Sequence, residues 1–384
     1  MADTPRKEAA VTGKRIGMMI GSDTLGGAEM VMLDLAVEMR QRGHSVLPIG
    51  PAGHDGWMRT GWLSRRFAEE GFAWHTYEQR RAIDPLCVRD MVRLFRSLNV
   101  DLVHSHEYAA AVYGAAAARV AGVPHVITMH GDQHVTKRLR RRMALRWAFG
   151  GARATIAVSS DTRDYLERDL GLPSDSVRVI TNGVPVRGGD PEPIRRELGL
   201  ADGEILIVAI GSLIKRKGHE ILLEALAAHC TGEGIPRWRV AIAGKGEERE
   251  ALETWAREHE IGSRVHILGP RDDIGNLLAA AAIFAMPSLW EGLPLALLEA
   301  MFAEKAIVAS AVSGIPEAAH DGEHALLTPA GDGDAVGRAI RRLLQEPRTR
   351  VRLGTAAGER ARTAFSVRAM ADAYETAYWV EGRP

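Results

Sequence analysis

Cysteine is nearly absent from the 384-residue sequence, and the two that occur, Cys87 and Cys230, are not part of a C-x-x-C pair. This excludes a disulfide framework and a zinc ribbon and suits a reducing compartment, so we expect both to be small core residues. Long hydrophobic runs are also missing. Residues 1–15 have no apolar signal-peptide core, and no later run approaches the roughly 18 residues that span a bilayer. The sequence therefore predicts a soluble cytoplasmic protein.

A net charge is absent as well, because 49 lysines and arginines balance 49 aspartates and glutamates. No global basic field favours nucleic acid, and no acidic tail favours a solvated arm. Any partner must therefore be recognised by local groups of residues. The length exceeds the roughly 250–300 residues that a single core supports, so we expect two domains.

What the sequence does contain is a regular alternation of short apolar runs and helical stretches. The first run is KRIGMMI (14–20), and a loop and an amphipathic stretch ending at Gly43 follow it. The later runs are HSVLPIGP, FAWHTY, VDLVHSH, PHVITMH, ATIAVSS and VRVITNG, then EILIVAIGS, WRVAIAG, RVHILG, AIFAMPS, KAIVAS and HALLTP. Several are apolar on both faces, as strands of a buried parallel sheet are. We predict an α/β protein with two doubly wound, Rossmann-like domains.

Glycine and proline clusters interrupt this alternation between about residues 182 and 199, where we place the interdomain linker. The predicted domains are 1–185 and 186–365, and an amphipathic helix, 366–384, follows them. Doubly wound domains bind ligands beyond the carboxyl ends of their strands. Two of them on one linker therefore predict a cleft between those ends, lined by the loops that follow the strands.

Two such loops are candidate phosphate sites. GSDTLGGAE (21–29) places Gly26 and Gly27 at the start of a helix, where a ligand could approach the backbone N–H groups. It lacks G-x-G-x-x-G, so a dinucleotide site is weakly supported. A plain tight turn between strand and helix is the alternative. GSLIKRKGHE (211–220) places Lys215, Arg216 and Lys217 just before a helix, where an anion would relieve their repulsion. A solvated basic loop is the alternative for that segment.

Two glutamates in SLWEGLPLALLEAM (288–301) stand out from their apolar surroundings. Pro294 suits the first turn of a helix, which places Glu291 in the preceding loop and Glu299 on the helix. The backbone N–H groups around Gly292, Leu293 and Leu295 would then face the ligand, and the two carboxylates would accept hydrogen bonds from hydroxyl groups. Phosphates flanked by hydroxyl groups describe a nucleotide sugar. The alternative is a pair of solvated surface carboxylates.

These motifs together resemble one family. The E-x7-E spacing of Glu291 and Glu299, with PSLWEGLPLALLEAM around it, looks like the signature of the retaining glycosyltransferase family 4 (group 1 glycosyltransferases), which has the two-domain GT-B fold. The resemblance extends over roughly residues 14–380. The other matching segments are GGAE, DLVHSHEY, ITMHGD, VSS, ITNGV, GSLIKRKG, IAGKGEERE, ILGPRDD and SGIPE.

The resemblance implies transfer of a sugar from a nucleoside-diphosphate sugar to an acceptor hydroxyl group, with retention, in the synthesis of polysaccharide, glycolipid or another glycoconjugate. It implies that 186–365 binds the donor, 1–185 binds the acceptor, and 366–384 crosses back onto the first domain. By this resemblance, Glu299 would bind the ribose of the donor and Glu291 would bind its sugar ring. The diphosphate would be bound by the loop that contains Gly211, Ser212, Arg216 and Lys217. Gly26 and Gly27 would lie near phosphate or acceptor, and His130 would face the reacting sugar.

One position departs from the family pattern, because Ser212 occupies a site where the family often has arginine; Arg216 or Lys215 could substitute. We expect no metal or other cofactor. The D-x-D form of DGD (332–334) is better explained by a helix N-cap. His104 and His106 are interpreted as hydrogen-bonded residues at strand ends. Open alternatives for the whole chain are a nucleotide-sugar epimerase or hydrolase of the same fold, and a non-catalytic nucleotide-binding protein.

A basic amphipathic helix is predicted in KRLRRRMALRW (137–147). Leu139, Met143 and Trp147 recur at every fourth position among six cationic residues. One hypothesis is contact with anionic lipid or a lipid-linked acceptor, which would place the protein at the inner face of a membrane. An ordinary helix with a solvated basic face is the alternative.

Overall fold

The computed structural model of the chain describes residues 13–53, 60–81, 83–131 and 136–379. The described residues divide into two compact units. The first unit comprises Met1–Val158, Thr162–Ile180 and Met370–Pro384, and the second comprises Ser159–Asp161 and Thr181–Ala369.

The first unit contains a parallel sheet that is covered by helices. Its strands are β1 (Arg15–Ile20), β2 (Ser45–Pro51), β3 (His75–Tyr77), β4 (Leu102–His106), β5 (His125–Met129), β6 (Ala154–Ala157) and β7 (Arg178–Val179). Its helices are α1 (Gly27–Gln41), α2 (Trp62–Glu69), α3 (Pro85–Ser97), α4 (Glu107–Ala121), α5 (Leu139–Phe149) and most of α6 (Ser160–Leu170). The strand order is β3-β2-β1-β4-β5-β6-β7, and every pairing is parallel.

The second unit repeats this architecture. Its strands are β8 (Ile205–Ile210), β9 (Trp238–Ala243), β10 (Val265–Gly269), β11 (Ile283–Met286), β12 (Ala306–Ser310) and β13 (Leu326–Thr328), in the order β10-β9-β8-β11-β12-β13. Its helices are α7 (Glu192–Glu197), α8 (His219–His229), α9 (Arg249–Glu258), α10 (Ile274–Ala280), α11 (Leu295–Phe302), α12 (Ile315–Ala318), α13 (Gly333–Gln345) and α14 (Pro347–Ala364). Each apolar run in the sequence corresponds to one strand. The prediction of two doubly wound α/β domains is therefore confirmed.

Apolar side chains pack on both faces of the second sheet, as expected for parallel strands covered by helices. Trp238 is fully buried at the start of β9, where its indole N–H donates to the carbonyl oxygen of Cys230 at 2.7 Å. Burial raises the pKa of the Cys230 thiol to about 12 and that of Cys87 to about 11, so both thiols stay protonated at neutral pH.

The ends of the predicted domains have structure of their own. The segment 182–199, predicted as a linker, contains the helix α7, and Thr181 already belongs to the second unit. The last described helix is α15 (Val367–Trp379). Its first three residues belong to the second unit, and the helix belongs to the first unit from Met370 onward. Residues 380–384 of the predicted helix lie outside the described residues.

Candidate active site

The order of the second sheet brings two predicted site loops together. β8 lies between β9 and β11, so the loops that follow β8 and β11 meet where the winding direction reverses. The N–H of Leu289, after β11, donates to the carbonyl oxygen of Arg216, after β8, at 2.8 Å. Gly218 has a φ of +66°, and a Cβ there would collide with the carbonyl oxygen of Pro287. Only glycine combines this backbone conformation with so close an approach.

Lys217 and Glu291 form an ion pair at this junction. The Lys217 ammonium donates to both carboxylate oxygens of Glu291, at 2.6 and 2.8 Å, and the Ser288 hydroxyl donates to one of them at 2.7 Å. The side chains of Lys217 and Glu291 are only 14% and 5% exposed, respectively. The two charges compensate each other where both side chains are mostly buried. Either charge alone in this place would destabilise the folded protein.

Neighbouring segments hold the loop of Glu291 in place. The Glu291 N–H donates to the Ser313 hydroxyl at 3.3 Å, and the Asn182 side-chain amide donates to the Leu293 carbonyl oxygen at 2.8 Å. The Gly314 N–H donates to the carbonyl oxygen of Gly292 at 3.0 Å. These contacts leave the Glu291 carboxylate to Lys217 and Ser288.

The helix after this loop starts one residue later than predicted. α11 begins at Leu295, and Pro294 is the N-cap rather than a residue of the first turn; its ψ of 127° is extended. No side chain caps the first turn among the described residues. Glu299 lies in the second turn and is half-buried, while Leu293 is buried and Gly292 is half-buried.

The three cations of the loop after β8 occupy different surroundings. They form one 3₁₀ turn, Lys215–Lys217. Lys215 is exposed, Lys217 pairs with Glu291, and the guanidinium carbon of Arg216 lies 5.0 Å from the centre of the Trp290 ring. The three side chains therefore do not form one undivided basic patch.

The backbone ahead of this turn is also closely packed. Ser212 is exposed, and its carbonyl oxygen is 3.2 Å from Nε2 of His219, whose pKa burial lowers to about 4. A Cβ at Gly244 would collide with the carbonyl oxygen of Gly211, and one at Gly246 would collide with Leu213. The loop after β9 thus supports the loop after β8, a role for IAGKGEERE that its resemblance to the family did not specify.

In the first unit, Gly26 and Gly27 lie at the start of α1, as predicted. Gly26 is its N-cap, and a Cβ there would collide with the Glu29 carboxylate. Glu29 accepts hydrogen bonds from the hydroxyl groups of Ser22 and Thr24, at 2.5 and 3.1 Å. At Gly27 a Cβ would meet nothing within 4 Å. A side chain at position 26 would therefore displace the Glu29 carboxylate, whereas Gly27 leaves open space beside the helix terminus.

His130 follows β5 and contacts the end of β4. Its Nε2 is 2.9 Å from Nδ1 of His106, and its backbone N–H donates to Glu107 at 3.0 Å. Burial lowers the pKa of His130 to about 4 and holds that of His106 well below 6.5, so both rings are neutral at pH 7. Among the described residues, Nδ1 of His130 has no hydrogen-bond partner. This nitrogen is shielded from solvent, so a ligand hydroxyl group would reach it only after neighbouring residues move. It would then accept or donate a hydrogen bond, depending on the tautomer.

Sequence reasoning did not assign a role to the network under this pair. His104 is fully buried, its ring is tilted by 42° against that of His106 with ring centres 4.2 Å apart, and it bonds to Thr128 at 2.8 Å. The hydroxyl of Tyr378, on α15, lies 2.7 Å from Nδ1 of His104, and that of Tyr374 lies 3.0 Å from Thr128. Both histidines are hydrogen-bonded, as predicted, but only His106 ends a strand, because His104 is the third residue of β4. No sequence pattern indicated the tyrosine partners.

Two clusters of residues contain side chains of the kinds that bind metal ions. Asp332 of DGD accepts the N–H of Ala335 at 2.8 Å, as an N-cap does. His320, Glu323 and His324 lie close enough to share an ion. However, Nδ1 of His324 accepts the backbone N–H of His320 at 3.2 Å, so its neutral ring carries the proton on Nε2, the nitrogen facing Glu323. Neither arrangement fits a metal site as it stands.

The candidate residues fall into two sets, each within its own unit. Gly26, Gly27 and His130 belong to the first unit, and the other predicted site residues belong to the second.

No helix among the described residues is long and apolar enough to cross a membrane.

The sequences of both units identify the chain as a glycosyltransferase. Residues 25–187 match the sequence profile described as Glycosyltransferase Family 4, and residues 190–360 match the profile described as Glycosyl transferases group 1. The chain belongs to this glycosyltransferase family. Its fold class is GT-B, as predicted.

Individual relatives agree with this assignment. The chain is 31% identical to the D-inositol 3-phosphate glycosyltransferase of Frankia alni, over 68% of this chain and 70% of that enzyme. It is 30% identical to an Escherichia coli enzyme named UDP-Gal:alpha-D-GlcNAc-diphosphoundecaprenol alpha-1,3-galactosyltransferase, over 58% of this chain and 61% of that enzyme. Among solved structures, Anabaena Alr3699/HepE in complex with UDP is similar in fold, with a TM-score of 0.81, 22% identity, and coverage of 94% and 98%.

Proposed function

We propose that this protein transfers a sugar from a nucleoside-diphosphate sugar to an acceptor hydroxyl group, with retention of the anomeric configuration and without a metal ion, in the synthesis of a cell-surface polysaccharide, glycolipid or other glycoconjugate. The observation that carries the proposal is the Lys217–Glu291 pair at the switch point of the second sheet. A cation and an acceptor of hydroxyl hydrogen bonds, side by side beyond strand ends, suit a phosphate that is bonded to a sugar.

In the proposed reaction, the bond between the anomeric carbon and the diphosphate oxygen breaks while the acceptor oxygen attacks from the same face. The acceptor proton passes to the departing phosphate. Lys217, Arg216 and the uncapped N-terminus of α11 would stabilise the negative charge that develops on the diphosphate. The neutral ring of His130 would hydrogen-bond the transferred sugar through Nδ1.

The donor and the acceptor are not specified by the family. The Escherichia coli relative is named for a lipid-linked sugar acceptor, and the Frankia alni relative for an inositol phosphate. We therefore propose a glycan, lipid-linked or small-molecule acceptor as a class. Its hydroxyl group would be bound by the first unit.

The test starts with a thermal-shift panel of nucleoside diphosphates and nucleotide sugars, followed by transfer assays with the donor that stabilises most. The anomeric proton coupling in the product reports the stereochemistry. We expect a product with the donor's configuration, and we expect Lys217→Met to lower transfer far more than Lys215→Met, its exposed neighbour. Rapid donor consumption without acceptor would identify a hydrolase or epimerase, and stabilisation without turnover would identify a binding protein.

A further inference from the structure

The outward side of α5 carries an apolar stripe that is largely exposed. Leu139, Met143 and Trp147 are 68%, 64% and 48% exposed. They recur every four residues, so the stripe runs for about 12 Å along the helix at 1.5 Å per residue. The opposite side of the helix packs into the core through Leu145, Ala148 and Phe149. At about 100° per residue, the stripe is centred roughly half a turn away from the buried side.

This arrangement is unusual for a helix of a globular domain, which normally presents polar side chains at the position farthest from the core. Folding does not require the stripe, because the other side of α5 already buries its apolar residues. An exposed apolar stripe on a helix that is already packed marks an interaction surface.

Cations flank the stripe, and no acidic residue lies on α5. Four of them, Lys137, Arg138, Arg140 and Arg142, are exposed and form no ion pair within the described part of the chain. We call these four residues the basic flank. Since the whole sequence has no net charge, this is a local excess of one sign. An anionic surface would relieve the repulsion among these side chains.

The remaining cations of the helix are held by the protein. Arg146 donates to the carbonyl oxygens of Leu170 and Gly171, at 2.5 and 2.9 Å. The guanidinium carbon of Arg141 lies 5.5 Å from the centre of the Tyr108 ring. The basic flank is therefore distinct from the arginines that stabilise the fold.

Trp147 is fixed in an exposed position. The guanidinium carbon of Arg119, on α4, lies 4.2 Å from the centre of its ring, and the same guanidinium donates to the Trp147 carbonyl oxygen at 3.1 Å. Tryptophan is the side chain most typical of the boundary between lipid headgroups and acyl chains. Here a cation lies directly against it.

We propose that α5 docks the first unit onto an anionic bilayer surface, with the stripe of Leu139, Met143 and Trp147 inserted among the headgroups and the basic flank on the lipid anions. An amphipathic helix with cations beside an apolar stripe binds in this interfacial mode. The proposal does not depend on the proposed function, because docking requires neither donor nor acceptor.

The experiment is flotation of the full chain with vesicles of phosphatidylcholine alone or with 30% phosphatidylglycerol, at low and high salt. We expect recovery with the anionic vesicles to be at least about 10-fold higher at low salt, and to fall as salt screens the attraction. Equal recovery with neutral and anionic vesicles, or recovery that salt does not change, would overturn the proposal.

Two exposed-site variants separate the contributions. Arg138→Gln, Arg140→Gln and Arg142→Gln together should weaken binding by about 100-fold, since each cation near such a surface contributes about 5-fold. The matched control removes three exposed arginines of the second unit, Arg338, Arg341 and Arg348. If the control loses as much vesicle binding as the test variant, the effect comes from net charge and not from the position of the basic flank. That result would contradict the proposal.

The second variant, Leu139→Ser with Met143→Ser, keeps every cation and should weaken binding by about 10-fold. Both positions are exposed, so the melting temperature should not change. A second copy of the chain is the competing occupant of the stripe. Sedimentation showing a dimer that this variant dissociates, without any vesicle binding, would replace the membrane with a self-association surface.

Discussion

The ammonium nitrogen of Lys217 lies within 2.8 Å of both carboxylate oxygens of Glu291, although 74 residues separate them in the sequence. Sequence reasoning gave these residues separate partners, the diphosphate for Lys217 and the sugar ring for Glu291. Their direct contact means that either substitution also changes the electrostatic surroundings of the other residue. Experiments on this site must therefore separate ligand binding from the stability of the pair.

A double-mutant cycle makes that separation. Lys217→Met and Glu291→Gln should each lower the free energy of unfolding by about 2 kcal/mol, because each leaves a partly buried group without its partner. The double variant contains no uncompensated charge, so it should recover more than half of the summed loss while transfer stays at least about 100-fold reduced. Urea unfolding and the transfer assay measure the two quantities. If the losses in stability simply add, the attraction between the two residues contributes nothing.

The two glutamates should differ in what they bind. If Glu299 contacts the ribose, Glu299→Gln should weaken the nucleoside diphosphate and the full donor alike, by about 10-fold or more, the lower end of what a hydrogen bond to a charged group contributes. Glu291→Gln should leave nucleoside diphosphate affinity nearly intact and reduce transfer. Calorimetric titration measures the affinities, with Glu359→Gln as an exposed control. Equal weakening of nucleoside diphosphate by both site variants would show that the pair of glutamates acts as one unit.

Gly218 provides a test of the contact between the two loops. Gly218→Ala introduces strain at a φ of +66° and a collision with Pro287, so it should lower both stability and donor affinity, the latter by at least about 10-fold. Gly203→Ala is the matched control, because its φ is +75° and a Cβ there meets nothing within 4 Å. That variant should lose about 1 kcal/mol of stability and no donor affinity. Thermal melting and calorimetry compare the two, and similar donor affinities would argue against the contact shaping the site.

Acidification should destabilise the protein below pH 6.5. Burial lowers the pKa of His125 to about 3 and that of His130 and His219 to about 4, whereas unfolded histidines titrate near 6.5. Between these values the unfolded state binds protons that the native state does not. The stabilisation is thus fully present above pH 6.5 and falls by about 1.4 kcal/mol per pH unit for each histidine as the pH decreases toward 4.

His125→Gln isolates one of these contributions, since glutamine can still bond to the Ser105 hydroxyl, which lies 2.8 Å from Nε2 of His125. Denaturant midpoints measured from pH 7 to pH 5 should show a flatter dependence in this variant. The exposed His320→Gln serves as the control and should follow the parent protein. An unchanged slope in His125→Gln would mean that His125 accepts a proton in the native state over this range.

Transfer should persist in excess EDTA. The cations of the loop after β8 and the N–H groups at the start of α11 supply positive potential where the diphosphate is proposed to bind. The measurement is the initial rate with and without chelator, each repeated after Mg²⁺ or Mn²⁺ is added back. A strict metal requirement would direct attention to Asp332 and Asp334 despite the N-cap contact of Asp332.

Most elements of the fold were readable from the sequence because the central strands of a covered parallel sheet are largely apolar, such as ILIVAI in β8, whereas the edge strands β3 and β7 contain only HTY and RV. Loop positions followed from the strand ends. Contacts between loops could not be predicted in the same way. The Lys217–Glu291 pair forms because β8 and β11 are neighbours in the sheet, and apolar runs do not show the order of the strands. The Pro294 N-cap and the His106–His130 pair likewise depend on atomic packing. The periodicity of α15 indicated only that one side is buried, and the family resemblance implied that this helix crosses back onto the first domain. Neither indicated that Tyr374 and Tyr378 bond to Thr128 and His104.

The contacts of α15 with the first unit affect how the chain folds during synthesis on the ribosome. The first unit receives Tyr374 and Tyr378 from α15, roughly 190 residues after Ile180, and they bond to Thr128 and His104 in its core. At about 5–20 residues per second, roughly 10–40 s separate translation of Ile180 from that of Met370. The second unit can fold during this interval, whereas the first must keep an incomplete core until α15 has left the ribosome. The core of the first unit is therefore completed only after Thr181–Ala369 of the second unit has been translated, which lengthens the time for which nascent-chain chaperones would protect it.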